Sequence, residues 1–165
     1  MRTFPASGVA MMLALAWGIA CSPKLRVNLS GRTVDQVPVT QAGVSALPTG
    51  EAFEVLPILA WEKEQGGETP AQLHFVRLRG HYLIAGEGFT RLWWVSPKNE
   101  NEATFEDIAV VPDGAQLRKI SVEKDVLRDC AIVGFEATSA DTEGGATRQT
   151  RYVTASGKVR NEPCR

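Results

Sequence analysis

The sequence predicts a mainly β protein, a single small antiparallel β-sandwich or barrel, with room for one short helix. Short apolar runs of strand length recur between residues 25 and 165, and turns rich in Gly, Pro and polar residues separate them. The chain shows no βαβ rhythm and no internal repeat, which favours antiparallel sheets over a parallel one. A hydrophobic fraction of 44% is ordinary for a globular protein.

The first third of this region predicts two strands and two loops. Residues 25–30 alternate apolar and polar side chains, as a half-buried strand does, and 32–50 reads as a loop with room for one short strand. Phe53 to Trp61 is an apolar run of strand length that contains Pro57. Because proline has no backbone donor, we expect an edge strand or a bulge there. A polar turn follows, with Gly66-Gly67 at its centre.

The central region predicts a hairpin and two further strands. Leu73–Arg79 and Tyr82–Ala85 are apolar runs joined at Gly80-His81, a short connection that suits antiparallel neighbours. Phe89–Val95 and Phe105–Val111 are the next two runs, and a polar turn separates them.

The C-terminal part begins with an ambiguous segment. Between 116 and 129 several apolar residues fall near a helical spacing, while Ile120-Ser121-Val122 favours a strand. The sequence leaves the choice open, with strand, turn, strand slightly favoured. Cys130–Ala137 predicts a strand, and Gln149–Thr154 with Lys158–Arg160 predicts a hairpin.

The N-terminal residues have the pattern of a secretory signal peptide, which we assign to 1–20. Arg2 provides a positive charge, and Val9–Ile19 is uncharged and apolar. This run is shorter than the roughly 20 residues that a membrane-spanning helix needs. No acidic residue precedes Asp35.

The end of this segment, Trp17-Gly18-Ile19-Ala20-Cys21, resembles the lipobox of bacterial lipoproteins, although Gly18 stands where that family usually has Leu. The resemblance implies cleavage before Cys21 and attachment of lipid to its thiol, with 21–24 as a short tether. Two or three acyl chains hold a protein stably at a membrane. Ser22 follows the cysteine, and in Gram-negative members this favours the outer membrane, facing the periplasm, over inner-membrane retention.

The other two cysteines form a natural pair. If Cys21 carries lipid, Cys130 and Cys164 remain, and thiols in an oxidising compartment usually form a disulfide. A loop of this length stabilises the fold by about 3–4 kcal/mol in the chain-entropy treatment.

Composition and motifs narrow the function classes. The net charge of −1 gives no basic excess of the kind that nucleic-acid partners favour. Nucleophile-elbow, zinc-protease, phosphate-loop, C-x-x-C and dinucleotide patterns are all absent from the sequence. With only His74 and His81, a three-histidine metal site is impossible. We therefore predict no cofactor and no metal.

Trp93-Trp94 is the most informative pair for binding. Adjacent strand residues point to opposite faces, so one tryptophan can be core while the other faces outward near Arg91. Aromatic residues beside arginine are enriched at binding surfaces, which makes Arg91, Trp93 and Trp94 the candidate binding surface. The alternative is that a second layer, such as a loop, covers the outer ring.

These observations favour a non-enzymatic binding or assembly module, anchored in the cell envelope, with an envelope protein as partner. One alternative is a small envelope hydrolase, with carboxylates drawn from Glu87, Glu106 or Asp107. Another is an inhibitor of an external hydrolase, with a protruding loop such as Gly66-Gly67 entering the cleft of its target.

Overall fold

The computed structural model describes residues 34–99, 102–138 and 146–165, in which the chain forms eleven strands and one helix. The predicted signal peptide, the predicted lipidation site Cys21, the predicted tether and the first predicted strand lie outside these residues. In chain order the elements are β1 Val34–Pro38, β2 Val44–Ala46, β3 Ala52–Glu54, α1 Leu56–Glu64, β4 Gln72–Leu78, β5 His81–Gly86, β6 Leu92–Asn99, β7 Glu102–Ile108, β8 Gln116–Asp125, β9 Cys130–Thr138, β10 Thr147–Thr154 and β11 Val159–Arg160.

Three antiparallel sheets build the fold, which confirms the predicted mainly β class. The first sheet has the order β1-β4-β5-β6-β7, the second has the order β11-β10-β9-β8, and β2 pairs with β3 alone. The second sheet lies against the first through β8 and β9, which contact β4 and β5. The two large sheets remain separate, so the described residues form a sandwich, one of the two architectures that the sequence predicted.

The first sheet is covered on both faces. All residues from Tyr82 to Gly86 are buried, although successive side chains of a strand point to opposite faces. Leu83 and the second sheet's Leu117 and Phe135 belong to one apolar core, and Phe53 and Ile58 join it from the other face. This double cover explains why β5 is a continuous apolar run instead of an alternating one.

The apolar run from Phe53 to Trp61 forms a helix for most of its length, and the predicted strand there is wrong. Strand β3 ends at Glu54, and α1 begins at Leu56 with Pro57 in its first turn. A proline is tolerated at this position because the first backbone N–H groups of a helix have no partner within the helix. The periodicity of a short apolar run does not by itself distinguish a strand from a buried helix.

The ambiguous segment after residue 116 is a strand. β8 runs from Gln116 to Asp125 and pairs with β9, with an irregularity between Arg118 and Ser121. Lys119 adopts a φ of 48° at that irregularity, as the extra residue of a β-bulge does. The central hairpin, the strand at Cys130 and the hairpin at Gln149–Arg160 are confirmed.

The turns β4–β5, β8–β9 and β10–β11 lie together at one end of the sandwich. Arg79 Nε, after β4, lies 3.1 Å from Asp129 Oδ2, before β9, and Lys124 Nζ donates to the Arg77 carbonyl at 2.6 Å. We call this the arginine end. None of the described segments forms a helix long and apolar enough to cross a membrane.

Candidate functional site

Trp93 is buried, with 6% of its surface exposed, under helix α1. Its ring meets Trp61 edge to face at 5.1 Å, and its Nε1 donates to Glu62 Oε1 at 2.8 Å. Glu62 is itself fully buried, and it also accepts from the Thr90 backbone and hydroxyl at 2.7 and 2.8 Å and from the Arg91 backbone at 3.3 Å. Trp93 is therefore part of the attachment of the helix to the sheet.

Trp94 points to the other face and is also 6% exposed. Its ring stacks on His81 at 5.1 Å, and Gly157 of the β10–β11 turn lies directly against it. A Cβ at Gly157 would come within 3.3 Å of the indole, and the φ of 75° there also favours glycine. The sequence left open whether the outer tryptophan is exposed for binding or covered by a second layer. In the structure the β10–β11 turn covers Trp94.

Arg91 belongs to a third environment, at the end opposite the arginine end. Its guanidinium pairs with Asp113 at 2.5 Å and with Asp107 at 3.7 Å, and Nη1 donates to the Val111 carbonyl at 3.4 Å. The guanidinium therefore bridges the β7–β8 connection to β6. Arg91, Trp93 and Trp94 do not share one exposed surface.

The carboxylates considered for a hydrolase are not brought together. Glu87 Oε1 accepts from the Lys119 backbone at 3.4 Å, whereas Asp107 faces Arg91. Glu106 is exposed and adjacent to Asp107 on β7, so the two side chains point to opposite faces.

The Gly66-Gly67 loop lies along the sandwich. The Gly66 carbonyl accepts from Gln116 Nε2 at 2.7 Å, and the Gly67 N–H donates to the Glu62 carbonyl at 2.7 Å. Glu68 then pairs with Arg118. The loop is thus fixed to helix α1 and β8, whereas the inhibitor interpretation needs it to protrude.

The two histidines have different hydrogen-bond partners. His74 Nδ1 is 3.4 Å from Gln36, and burial lowers the pKa of His74. His81 Nδ1 is 3.0 Å from the Ser96 hydroxyl. Within the described ranges, no three His, Cys, Asp or Glu side chains are grouped as a metal site would require.

A second buried carboxylate, which the sequence reasoning missed, links β3 to the first sheet. Glu51 is 1% exposed and accepts from the Tyr82 hydroxyl at 2.6 Å and from Thr49 at 2.7 Å. Arg77 Nη1 lies 3.6 Å away. The adjoining cavity, about 10 Å³, has space for roughly one water molecule. The cluster holds the segment before β3 against the first sheet, and its cavity has no room for a substrate.

A much larger cavity, of about 280 Å³, opens at the arginine end. We call it the arginine pocket, and its lining consists of Arg79, Arg128, Thr154, Ala155, Ser156, Arg160, Cys164 and Arg165. Three turns, the adjoining ends of β10 and β11, and the C-terminal segment supply these residues. The Cys130–Cys164 disulfide, whose Cα atoms are 6.3 Å apart, fixes that segment beside β9 and confirms the predicted pairing.

Three of the four arginines have an acidic neighbour. Arg79 pairs with Asp129 at 3.1 Å and Arg128 with Asp125 at 2.7 Å, while Arg165 lies 3.9 Å from Glu162. Asp129 is shared with Lys124 at 2.7 Å. The arginines also remain well exposed, at 77% for Arg79, 53% for Arg128 and 89% for Arg165.

Arg160 differs from the other three. It is exposed on β11, and no acidic side chain within the described ranges pairs with it. The hydroxyls of Thr154 and Ser156, 3.0 Å apart, line the same cavity. A guanidinium presents several N–H donors in a fixed planar fork, which suits phosphate and carboxylate oxygens. The arrangement can therefore hold an anionic group.

The sequence reasoning did not identify this pocket. Its arginines come from four separate segments, and only the antiparallel topology brings these together. A usable signal was that Arg79 and Arg160 lie at the ends of predicted strands, while Arg128 lies just before the predicted strand that begins at Cys130. No protein-family model, no curated protein and no solved structure matches this chain.

Proposed function

We propose that this protein is a lipid-anchored component of the cell envelope that acts as a non-enzymatic binding module and captures an anionic group in the arginine pocket. The anchor rests on the lipobox-like segment that ends at Cys21. The binding activity rests on the pocket, and above all on Arg160.

The chemistry of the pocket lining supports binding. Arginine stays protonated in proteins, so it serves as a fixed positive charge and donor and not as a general base. Charge-assisted hydrogen bonds from a guanidinium to an anion are about twice as strong as neutral ones. No acidic side chain of the described ranges occupies the donors of Arg160, whereas Arg79 and Arg128 each already pair with an aspartate.

The size of the cavity fits a small anionic group and not an extended chain. Sites for small-molecule ligands begin at about 300 Å³, and the volume of the pocket, about 280 Å³, lies just below that. A neighbouring cavity of about 530 Å³ shares Arg128, Cys164 and Arg165 with it, which leaves room for the group to which the anion is attached.

Titration of the full chain with inorganic pyrophosphate tests the binding activity. We expect Arg160→Gln to weaken pyrophosphate affinity by about tenfold or more, since it removes charge-assisted hydrogen bonds of roughly 1.5–3 kcal/mol. Arg148→Gln is the matched control, because Arg148 is an exposed arginine at the far end of β10. Equal affinities for the two variants would contradict the proposed site.

Fatty-acid labelling tests the anchor separately. Wild-type protein should incorporate labelled fatty acid, and Cys21→Ser should not. Cys130→Ser serves as the control, because it removes a different cysteine and should leave labelling intact. Equal labelling of wild type and Cys21→Ser would end the lipoprotein proposal, whatever the outcome at the arginine pocket.

A further inference from the structure

The turn between β8 and β9 presents two apolar side chains to solvent. Leu127 is 94% exposed and Val126 is 66% exposed, and the remaining large exposed hydrophobic residue of the described chain, Leu56, lies on helix α1 with 46%. The Asp125 carboxylate accepts from the backbone N–H groups of Leu127 and Arg128 at 3.1 Å each. The turn is therefore held in a defined shape with its apolar tip outward.

Positive charge surrounds this apolar tip. Arg128 follows it directly, and the turn shares the arginine end with Arg79, Arg160 and Arg165. Asp125, Asp129 and Glu162 each pair with one of those arginines. Arg160 has no such acidic partner among the described residues, and it lines the same cavity as Arg128, the residue after Leu127. Apolar side chains next to arginine are the pattern of a surface that enters the interface of an anionic membrane.

The direction of the first strand adds a third observation. Val34 pairs with Val76, two residues before β4 ends at Leu78, so the described chain begins at the arginine end. Twelve residues separate Cys21 from Val34 in the sequence. At no more than about 3.6 Å per residue they span at most roughly 45 Å, so a lipid on Cys21 would attach the domain to the bilayer through a short segment that enters at this end.

We infer that the arginine end docks on an anionic phospholipid bilayer, with Leu127 and Val126 entering the interface and the arginine pocket binding a lipid phosphate. This inference rests on the proposed function and names the source of the anion that the pocket binds. Lipid phosphate fits better than a free anion because the apolar tip and the entry point of the chain lie at the same end as the pocket.

Depth-dependent fluorescence quenching tests the inference on the full chain reconstituted into vesicles. The vesicles contain brominated phosphatidylcholine, with or without phosphatidylglycerol. Leu127→Trp places a fluorophore at the tip, and Leu56→Trp places one at an exposed leucine on the layer that covers the opposite face of the first sheet. Because both variants share the same native tryptophans, the difference in quenching between the variants reports the introduced residue.

We expect bromine to quench the emission of Leu127→Trp about twofold more than that of Leu56→Trp, since interfacial side chains reach the acyl boundary. Adding Arg160→Gln, or omitting phosphatidylglycerol, should remove most of the difference. Equal quenching of the two variants would overturn the membrane inference. If Arg160→Gln nevertheless weakens pyrophosphate binding, the anion site stands and its ligand is soluble; if pyrophosphate binding is also unchanged, the proposed function fails as well.

Discussion

Glu62 and Arg160 lie toward opposite ends of the sandwich, and they differ in how far neighbouring groups satisfy their charge. The Glu62 carboxylate is fully buried and accepts four hydrogen bonds from β6 and the residues before it. Arg160 is exposed in an open cavity, and no described acidic side chain pairs with it. A buried charge without partners is costly, so the first arrangement is a condition of folding.

The same difference between a charge that the fold satisfies and one that it leaves accessible is seen when Glu51 is compared with the arginine pocket. Glu51 resembles Glu62, because its donors come from the fold itself and leave space for about one water. In the arginine pocket, the side chain of Arg160 is exposed and pairs with no described acidic group. Substitutions at the buried acids should therefore lower the free energy of unfolding, and substitutions at Arg160 should change only ligand binding.

The largest effect should come from Glu62→Ala, which leaves the N–H groups of Thr90, Arg91 and Trp93 without their acceptor. We expect the free energy of unfolding to fall by about 3–5 kcal/mol, because each buried unsatisfied group costs roughly 1–3 kcal/mol. Urea denaturation followed by tryptophan fluorescence measures this change. Glu64→Ala, an exposed glutamate of the same helix, is the control. A comparable loss in both variants would show that Glu62 does not fasten the helix.

The next effect concerns the wall of the pocket. Replacing Cys130 and Cys164 together by Ser should lower the free energy of unfolding by about 3–4 kcal/mol, since the open chain gains conformational entropy when unfolded. Pyrophosphate affinity should also fall, because Cys164 and Arg165 line the pocket. Denaturation and titration of the double variant measure both. If stability falls while affinity is unchanged, the disulfide does not position the binding site.

Tyr82→Phe should have a smaller effect. Its hydroxyl donates to Glu51 at 2.6 Å, and burial together with that carboxylate raises the pKa of Tyr82, so the phenol remains a donor. Loss of one hydrogen bond to a charged group lowers the free energy of unfolding by about 2 kcal/mol. Tyr152→Phe is the control, because Tyr152 is half-buried and its hydroxyl has no hydrogen-bond partner in the described part of the chain. Equal losses in the two urea titrations would contradict the role of Glu51.

Local sequence pattern was sufficient to predict most strands and the disulfide. Alternation and turn residues are properties of a few consecutive positions, and the hairpin at Gly80-His81 shows both. The Cys130–Cys164 pair followed from counting the cysteines left after Cys21. The run from Phe53 to Trp61 failed because its fate depends on a distant partner: Glu62 lies just beyond it and is held by β6.

The candidate site could not be predicted in the same way. The pattern around Trp93 and Trp94 suggested a binding surface because the groups that cover them are distant in sequence. Helix α1 lies about 30 residues before Trp93, and Gly157 lies about 60 residues after Trp94. Arg79 and Arg128 of the arginine pocket are separated by a similar distance along the chain. Burial of an aromatic pair and assembly of an arginine pocket are both consequences of sheet topology. Neither is visible in a window short enough to read a strand.

The smallest effect on folding, and the sharpest test of the comparison, is expected for Arg160→Gln. Without ligand its free energy of unfolding should lie within about 0.5 kcal/mol of wild type, because exposed residues outside special contacts contribute little. Pyrophosphate at a hundred times its dissociation constant should raise the free energy of unfolding of wild type by about 2.7 kcal/mol, since a ligand that binds only the folded state stabilises it by mass action. In Arg160→Gln the same pyrophosphate concentration should recover only about half of that gain, given a tenfold weaker site. Arg148→Gln should behave as wild type throughout, and urea titrations with and without pyrophosphate measure all three proteins. A loss of stability in ligand-free Arg160→Gln as large as that in Glu62→Ala would place Arg160 among the groups that hold the fold, and the contrast between the two ends would fail.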